Sequence, residues 1–566
     1  MKLDGVCEVR KLLAIWLDGY DLSLANAIID GLPSLARIRE QSARFLLDHG
    51  SARWIGVHEE HASSGLSPND AERWSLVFFD KETYGVWQEG PLLAPFPARM
   101  RANTVVFDYP YFDLSRASQV RGAVAWGSHN AGMEFSANPP DLLDDLLERF
   151  GVYPASQWVH GFAWPSPERC QIMGNALAKG VAARSKIALW LLKERFPDWD
   201  LALIGVSEAH SALEALWHGV DVRHPLHSHS SSRAAAEGVY KVYQAIDRLI
   251  GILTAEFEDA TILIFSMHGM GPNRSDVPGM VLLPELLHRH AFGRSFFNQP
   301  ESWSQATNGV PILSEEDNWN NWNVVTPDPR SIQRSVRDKV VRHTREQAAK
   351  FLPAYAKEAL KRIVRGRNGE GFSERQHLFG EEATLQRRRK SIDWMPAARY
   401  RPLWPKMPAF ALPAYHDGQI RINLQGRESK GIVPSARYEL VCEEIMQILR
   451  DCRNPFNGGP AVEDIEWPCR HNALGLAASR ADMYVTWKEN ILCLEHANLG
   501  RIGPIPFHRT GGHTGQYGMA YLKSVVLAPG DYGTRSSFDV VPTLFDLLNE
   551  RLPDKISGRS LFAPAQ

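Results

Sequence analysis

The run Leu12-Leu13-Ala14-Ile15-Trp16-Leu17-Asp18-Gly19-Tyr20 decides the fold. Its apolar residues follow one another without polar alternation, which predicts a strand buried on both faces, as in a parallel sheet. The Asp-Gly that ends it places a carboxylate at the carboxyl edge, where open α/β sheets carry their sites. The pattern recurs downstream. Leu201 to Val206 runs into Ser207-Glu208-Ala209-His210, and Thr261 to Phe265 runs into Ser266-Met267-His268-Gly269. Three buried strands thus deliver metal-capable groups to one edge. A helical periodicity over 175–196 leads directly into the strand at Leu201. That βαβ rhythm predicts an α/β fold with a largely parallel sheet flanked by helices.

A chain of 566 residues is too long for one simple core. The expected division is an α/β core made of 1–282 and 408–566, with 283–407 as a mostly helical insertion or cap over the carboxyl edge. Tryptophan and asparagine cluster in that insertion at Trp319 to Asn323, and Arg387-Arg388-Arg389-Lys390 is a basic run of the kind that covers a solvated helix. The formal net charge of −2 gives no general attraction to nucleic acid or to an anionic membrane. The six cysteines are scattered without a CxxC pair, which fits reduced thiols better than a disulfide scaffold. No signal-peptide apolar region precedes Lys11, and the first apolar run is far short of a membrane span. The expectation is a cytoplasmic, soluble protein without a membrane segment; the pattern carries no signal for oligomeric state.

Several polar groups invite a chemical reading. In His58-Glu59-Glu60-His61 the histidines are three apart, so the run is not HExxH, and a polar helix face is the plainer reading. Glu60 and His61 remain candidate substrate contacts, on a short helix expected to close at Gly65. His210 and Glu214, four apart, share one helix face and can hold one cation together. His218 on the same helix is a further substrate-binding candidate, whereas His224, His227 and His229 sit in a Pro/Ser loop that favours solvated imidazoles. Gly511-Gly512-His513-Thr514-Gly515 lets backbone approach a bound group closely and makes His513 another candidate ligand.

Taken in order, these motifs carry a resemblance. Leu17-Asp18-Gly19-Tyr20, Leu32-Pro33-Ser34-Leu35-Ala36, Ser63-Ser64-Gly65-Leu66-Ser67-Pro68, Ser266-Met267-His268-Gly269-Met270-Gly271, Gly512-His513, Phe538-Asp539-Val540-Val541-Pro542-Thr543-Leu544 and Gly558-Arg559-Ser560-Leu561 resemble the alkaline phosphatase superfamily. The nearest branch is the type I phosphodiesterase/nucleotide pyrophosphatase-like proteins. Asp417-Gly418 through Asn423-Leu424-Gln425-Gly426-Arg427-Glu428 and Gly431-Ile432-Val433 is similar to a segment of that branch. The resemblance implies a sheet with a two-metal site, usually zinc, at its carboxyl edge. Carried over by position, His210, Glu214 and His513 would bind one ion, and Asp18 and His268 the other.

The chain departs from that pattern. Met267 stands where the family has an aspartate, and a thioether is a poor ligand beside oxygen donors. The position of the family's Ser or Thr nucleophile falls at Ile55, which has no nucleophilic atom, so no catalytic nucleophile is assigned. Three functions stay open. The favoured one is a hydrolase of a phosphodiester, pyrophosphate or phosphomonoester bond, dependent on one or two divalent ions, zinc or alternatively manganese, and acting on a small phosphorylated substrate. The second is a non-catalytic member that binds a phosphorylated ligand or a protein partner, and the third is a phosphoryl-group transferase.

Overall fold

The computed structural model of the chain describes residues 11–50, 58–129, 133–161, 165–296, 303, 310–311 and 389–563. Nine strands make the main sheet: β1 (Leu12–Leu17), β2 (Ala43–Asp48), β3 (Thr104–Phe107), β4 (Arg121–Val124), β5 (Ser136–Asn138), β6 (Leu201–Val206), β7 (Thr261–Ser266), β8 (Tyr517–Lys523) and β9 (Gly530–Ser536). Their order is β9-β2-β8-β7-β1-β6-β3-β4-β5. Only β8, against β2 and β7, and β5, against β4, run antiparallel. The sheet is therefore largely parallel, and the strand quoted first lies between the two that share its pattern, with Leu12 in register with both Leu201 and Thr261.

Burial follows from that central place. Leu13, Ile15 and Leu17 enter one apolar cluster, while Leu12, Ala14 and Trp16 enter the cluster on the opposite face. Each of the leucine and isoleucine side chains contributes roughly 1.5–3 kcal/mol on burial. Six helices matter for the site: α1 (Leu22–Ala27), α2 (Pro33–Glu40), α3 (His58–Ser64), α4 (Pro167–Trp190), α5 (Glu208–Val220) and α6 (Ser232–Glu256). Leu177 and Val181 of α4, Leu213 and Leu216 of α5 and Val239 and Ile246 of α6 share the cluster of Leu13. Ser166 caps α4 by accepting from the Arg169 N–H, with Pro167 at the first helical position, where its missing N–H costs nothing.

Two expected boundaries moved. Apolar residues at helical spacing across 25–49 predict short helices throughout; the chain forms α1 and α2 there, but the end of the stretch is strand β2, in which Ala43, Phe45 and Leu47 are buried alternately with half-buried neighbours. Period-two burial overrides the helical spacing there. The largely apolar stretch from Ala520 to Leu527 predicts another strand, and the structure begins and ends it earlier, as β8.

A second apolar cluster lies under an antiparallel sheet whose strands run Ala409–Leu412, Gly418–Ile422, Met483–Trp487 and Val462–Glu466 in spatial order. Helices Leu283–Phe292 and Tyr438–Asp451 pack on it through Leu286 and Ile445. Its polar centre is closed by arginine: Arg427 donates to Asp482 at 2.8 Å and to Glu428 at 2.8 Å. Most of the 283–407 stretch, including the Trp319 to Asn323 cluster, lies outside the described residues. The described cysteines are free and buried, and among the described residues no helix is long and apolar enough to cross a membrane.

Candidate metal centre

Asp18 ends β1 with its backbone N–H bonded to the Val206 carbonyl at 2.9 Å, which fixes the carboxylate beside the end of β6. The next residue must be glycine. Gly19 has φ +61°, and a Cβ there would lie 2.7 Å from the Cβ of His210. α5 can therefore approach, and His210 Nδ1 stands 3.0 Å from Asp18 Oδ2. The start of α5 is held from below by an ion network with no exposure. Arg184 of α4 donates to Asp108 Oδ2 at 2.7 Å and to Glu208 Oε1 at 2.9 Å, and Glu208 is the first residue of α5. One turn beyond His210, Glu214 Oε1 lies 3.6 Å from His210 Nε2.

His268 follows β7 and leads into the strand Gly269–Pro272, which pairs antiparallel with Gly511–Gly515. Gly515 permits that pairing, since a Cβ there would meet the Gly269 carbonyl carbon at 2.3 Å. The pairing carries His513 over the edge of the main sheet. Its Nδ1 lies 3.2 Å from His268 Nε2, and its ring centroid lies 4.4 Å from that of His210. Asp18, the pair His210 and Glu214, His268 and His513, which the sequence placed on four elements, are thus brought together.

Four further residues join them that sequence reasoning did not assign: His58, Glu59, His129 and His416. Potential ligand atoms lie within 4.8 Å of one another in four sets, namely Asp18, Glu59 and His210; Glu59, His268 and His513; His129, His210 and Glu214; and His58, His416 and His513. Neighbouring sets share His210, Glu59 or His513, so the donors form one continuous cluster. Several donor atoms are buried without a hydrogen-bond partner: Asp18 Oδ1, His210 Nε2, Glu214 Oε2 and both ring nitrogens of His58. Buried polar atoms normally find partners, so this concentration of unused donors fits a cation.

The electrostatics sort the donors by charge. Burial opposes a charge on His210, but Asp18 and then Glu214 raise its pKa to about 10. Burial, followed by the nearby Asp18, raises Glu59 to about 7. Burial would also raise Glu214, yet Arg509 first and then His129 hold it well below the usual carboxylate range. Burial and then His268 push His416 down to about 3. Burial likewise holds His58 and His513 well below 6.5, so both are neutral imidazoles at neutral pH, the form that ligates metals and accepts protons.

The remaining candidates lie elsewhere. Glu60 pairs with Arg73 at 2.6 Å and accepts the Leu93 N–H at 3.0 Å, and His61 Nε2 meets the Arg73 carbonyl at 3.2 Å. Both buttress the loop after α3. His218 bridges Ser231 Oγ at 3.0 Å and Thr510 Oγ1 at 3.4 Å, within the packing of α5 on α6. Ile55 lies outside the described residues. Ser63 and Ser64 turn their hydroxyls to the carbonyls of Pro110 and His61. Met267 is 2% exposed and packs in the apolar cluster of Trp16 and Phe265.

No protein-family model matches the chain, and no curated protein matches it in sequence. Similar solved structures include phosphonoacetate hydrolase from Sinorhizobium meliloti 1021 in complex with phosphonoformate, at 12% identity over 96% of each chain and TM-score 0.43. Others are an inactive variant of murine ectonucleotide pyrophosphatase/phosphodiesterase 5 in complex with AMP, at 8% identity over 96% of each chain and TM-score 0.43, and a mutant of alkaline phosphatase PafA, at 8% identity over 99% of each chain and TM-score 0.42. Likenesses this distant leave the chemistry to the residues themselves.

Proposed function

We propose that this centre holds one or two divalent ions, zinc in the first place and manganese as the alternative, and hydrolyses a phosphodiester, pyrophosphate or phosphomonoester bond of a small substrate. The observation that carries the reading is the convergence of Asp18, Glu59, His210, His268 and His513, with Asp18 Oδ1 and His210 Nε2 buried and unpartnered. Mixed carboxylate and imidazole donors suit these metals. A divalent ion held there supplies Lewis-acid polarisation of a phosphoryl oxygen and acidifies water.

The chain supplies the rest. Ser63 and Ser64 are committed to backbone carbonyls, which favours direct attack by water over a covalent route. His58, with both ring nitrogens unengaged, is the imidazole we assign to take the proton of that water. Arg509, buried between Glu214 and Asp276 and 2.9 Å from the latter, fixes the Glu214 carboxylate beside His210. One observation favours the non-catalytic alternative: Met267 sits in the apolar core and Glu214 is neutralised by Arg509, which together remove two carboxylate charges from the centre.

One experiment separates the readings. The purified protein, loaded with zinc or manganese, is assayed against bis-p-nitrophenyl phosphate, p-nitrophenyl phosphate and a dinucleotide pyrophosphate, alongside His513→Ala. Hydrolysis of at least one substrate, falling to background in the variant, supports the hydrolase. A metal-loaded protein that turns over none of them leaves the binding role.

A further inference from the structure

The described residues include seven buried glutamates, and six of them pair with arginine: Glu60 with Arg73, Glu89 with Arg389, Glu208 with Arg184, Glu214 with Arg509, Glu285 with Arg289 and Glu428 with Arg427. Where this fold buries a glutamate, it neutralises it with a guanidinium, as the cost of an unpaired buried charge demands. Glu59 is the exception. It is 6% exposed, and among the described residues no arginine or lysine pairs with it. The groups within ligand distance of its carboxylate are instead Asp18 and His210 on one side and His268 and His513 on the other.

The strand end at β7 lacks a carboxylate of its own. His268 points into the cluster while its neighbour Met267 is packed in the apolar core, so the imidazole pair His268 and His513 has no acidic residue from its own elements. Two neutral imidazoles alone leave a divalent cation uncompensated in a buried place. We propose that Glu59 is a shared ligand, its carboxylate held in common by an ion on Asp18 and His210 and an ion on His268 and His513, and that α3 thereby supplies the charge Met267 does not. The two oxygens of one carboxylate suit that role, and neighbouring donor sets sharing this residue fit it. The proposal rests on the reading of this cluster as a metal centre.

The test counts metal with no substrate present. Full-length protein is stripped with a chelator and titrated with Mn(II), and bound metal and its electron paramagnetic resonance spectrum are recorded. The expected result is two equivalents with the broadened spectrum of a spin-coupled pair in the wild type. In Glu59→Gln the second equivalent should weaken at least 100-fold and the coupled signal should give way to that of isolated Mn(II). A wild type that takes one ion, or a Glu59→Gln protein that keeps two coupled ions, overturns the proposal. If circular dichroism shows Glu59→Gln unfolded, Glu59→Asp decides: its carboxylate is shorter, so coupling and second-ion affinity should fall, and wild-type values for both overturn the shared ligand. A protein that binds the coupled pair yet cleaves no phosphoester sinks the hydrolase and leaves the shared carboxylate standing; one that cleaves with a single ion bound does the reverse.

Discussion

Met267 and His268 are sequence neighbours with opposite surroundings, because successive side chains at a strand end leave on opposite faces. His268 meets His513 at 3.2 Å, while Met267 joins Trp16, Phe265 and Val541 in the core. A methionine packed this way is a space-filler, so Met267→Leu, close in volume, should cost less than about 1.5 kcal/mol. Metal content should stay at the wild-type value; elemental analysis showing a lost ion in this variant would make the thioether a ligand after all. The same alternation explains what was legible at this scale. Asp18 and His268 each follow an apolar strand whose end is visible as a change in residue type, and the glycines flag His513. Glu59 follows no strand. In His58-Glu59-Glu60-His61 each step turns a helix by about 100°, so which of two adjacent glutamates faces the metal centre depends on the rotation of α3. The sequence leaves Glu60 and His61 as the candidate contacts, and packing turns those two toward Arg73 instead.

At the scale of elements, the end of α5 and its connection to α6 gather histidines that read in the sequence as a substrate contact, His218, and as solvated imidazoles, His224, His227 and His229. His218 and His224 are instead buried as structure. His218 is tied to Ser231 and Thr510, and His224 accepts the Leu226 N–H at 3.1 Å beside the ring of Phe507. Burial lowers His224 to about 4, with Asp221 opposing and His227 adding to the shift. Unfolded, the imidazole titrates near 6.5, so between pH 6.5 and 4 the unfolded chain binds more protons than the folded one. Stability present above pH 6.5 is therefore lost as pH falls toward 4, by up to about 3 kcal/mol from this residue. His224→Gln should melt less steeply with acid than the wild type across that window, and parallel curves of melting temperature against pH would refute the assignment. A histidine-rich loop reads the same whether its rings are solvated or buried. Here the long helices α5 and α6 decide, by closing over His218 and His224 in a way no local pattern encodes.

Across the whole molecule, the donors come from the end of β1, α3, the loops at His129 and His416, α5, the turn after β7 and the strand Gly511–Gly515, elements drawn from both ends of the chain. The sheet was readable because each of its central strands is an unbroken apolar run. The assembly of the centre was less so, since it needs Gly515 against Gly269 and Gly19 beneath His210, contacts between segments far apart in sequence. A cation on these donors therefore acts as a cross-link between the two ends of the fold. Without it, burial first and the neighbouring Asp18 carboxylate second push Glu59 up to about 7. With it, folding gains the binding free energy, about 2.7 kcal/mol at a free metal concentration 100 times the dissociation constant. Chelator-stripped protein should melt several degrees below the zinc-loaded form, with calcium restoring little because its larger oxygen-preferring shell suits these imidazoles poorly. Scanning calorimetry on stripped, zinc-loaded and calcium-loaded protein checks this. Equal melting temperatures in all three would mean that the converging carboxylates and imidazoles bind no ion, and the proposed hydrolysis would lose its chemical basis.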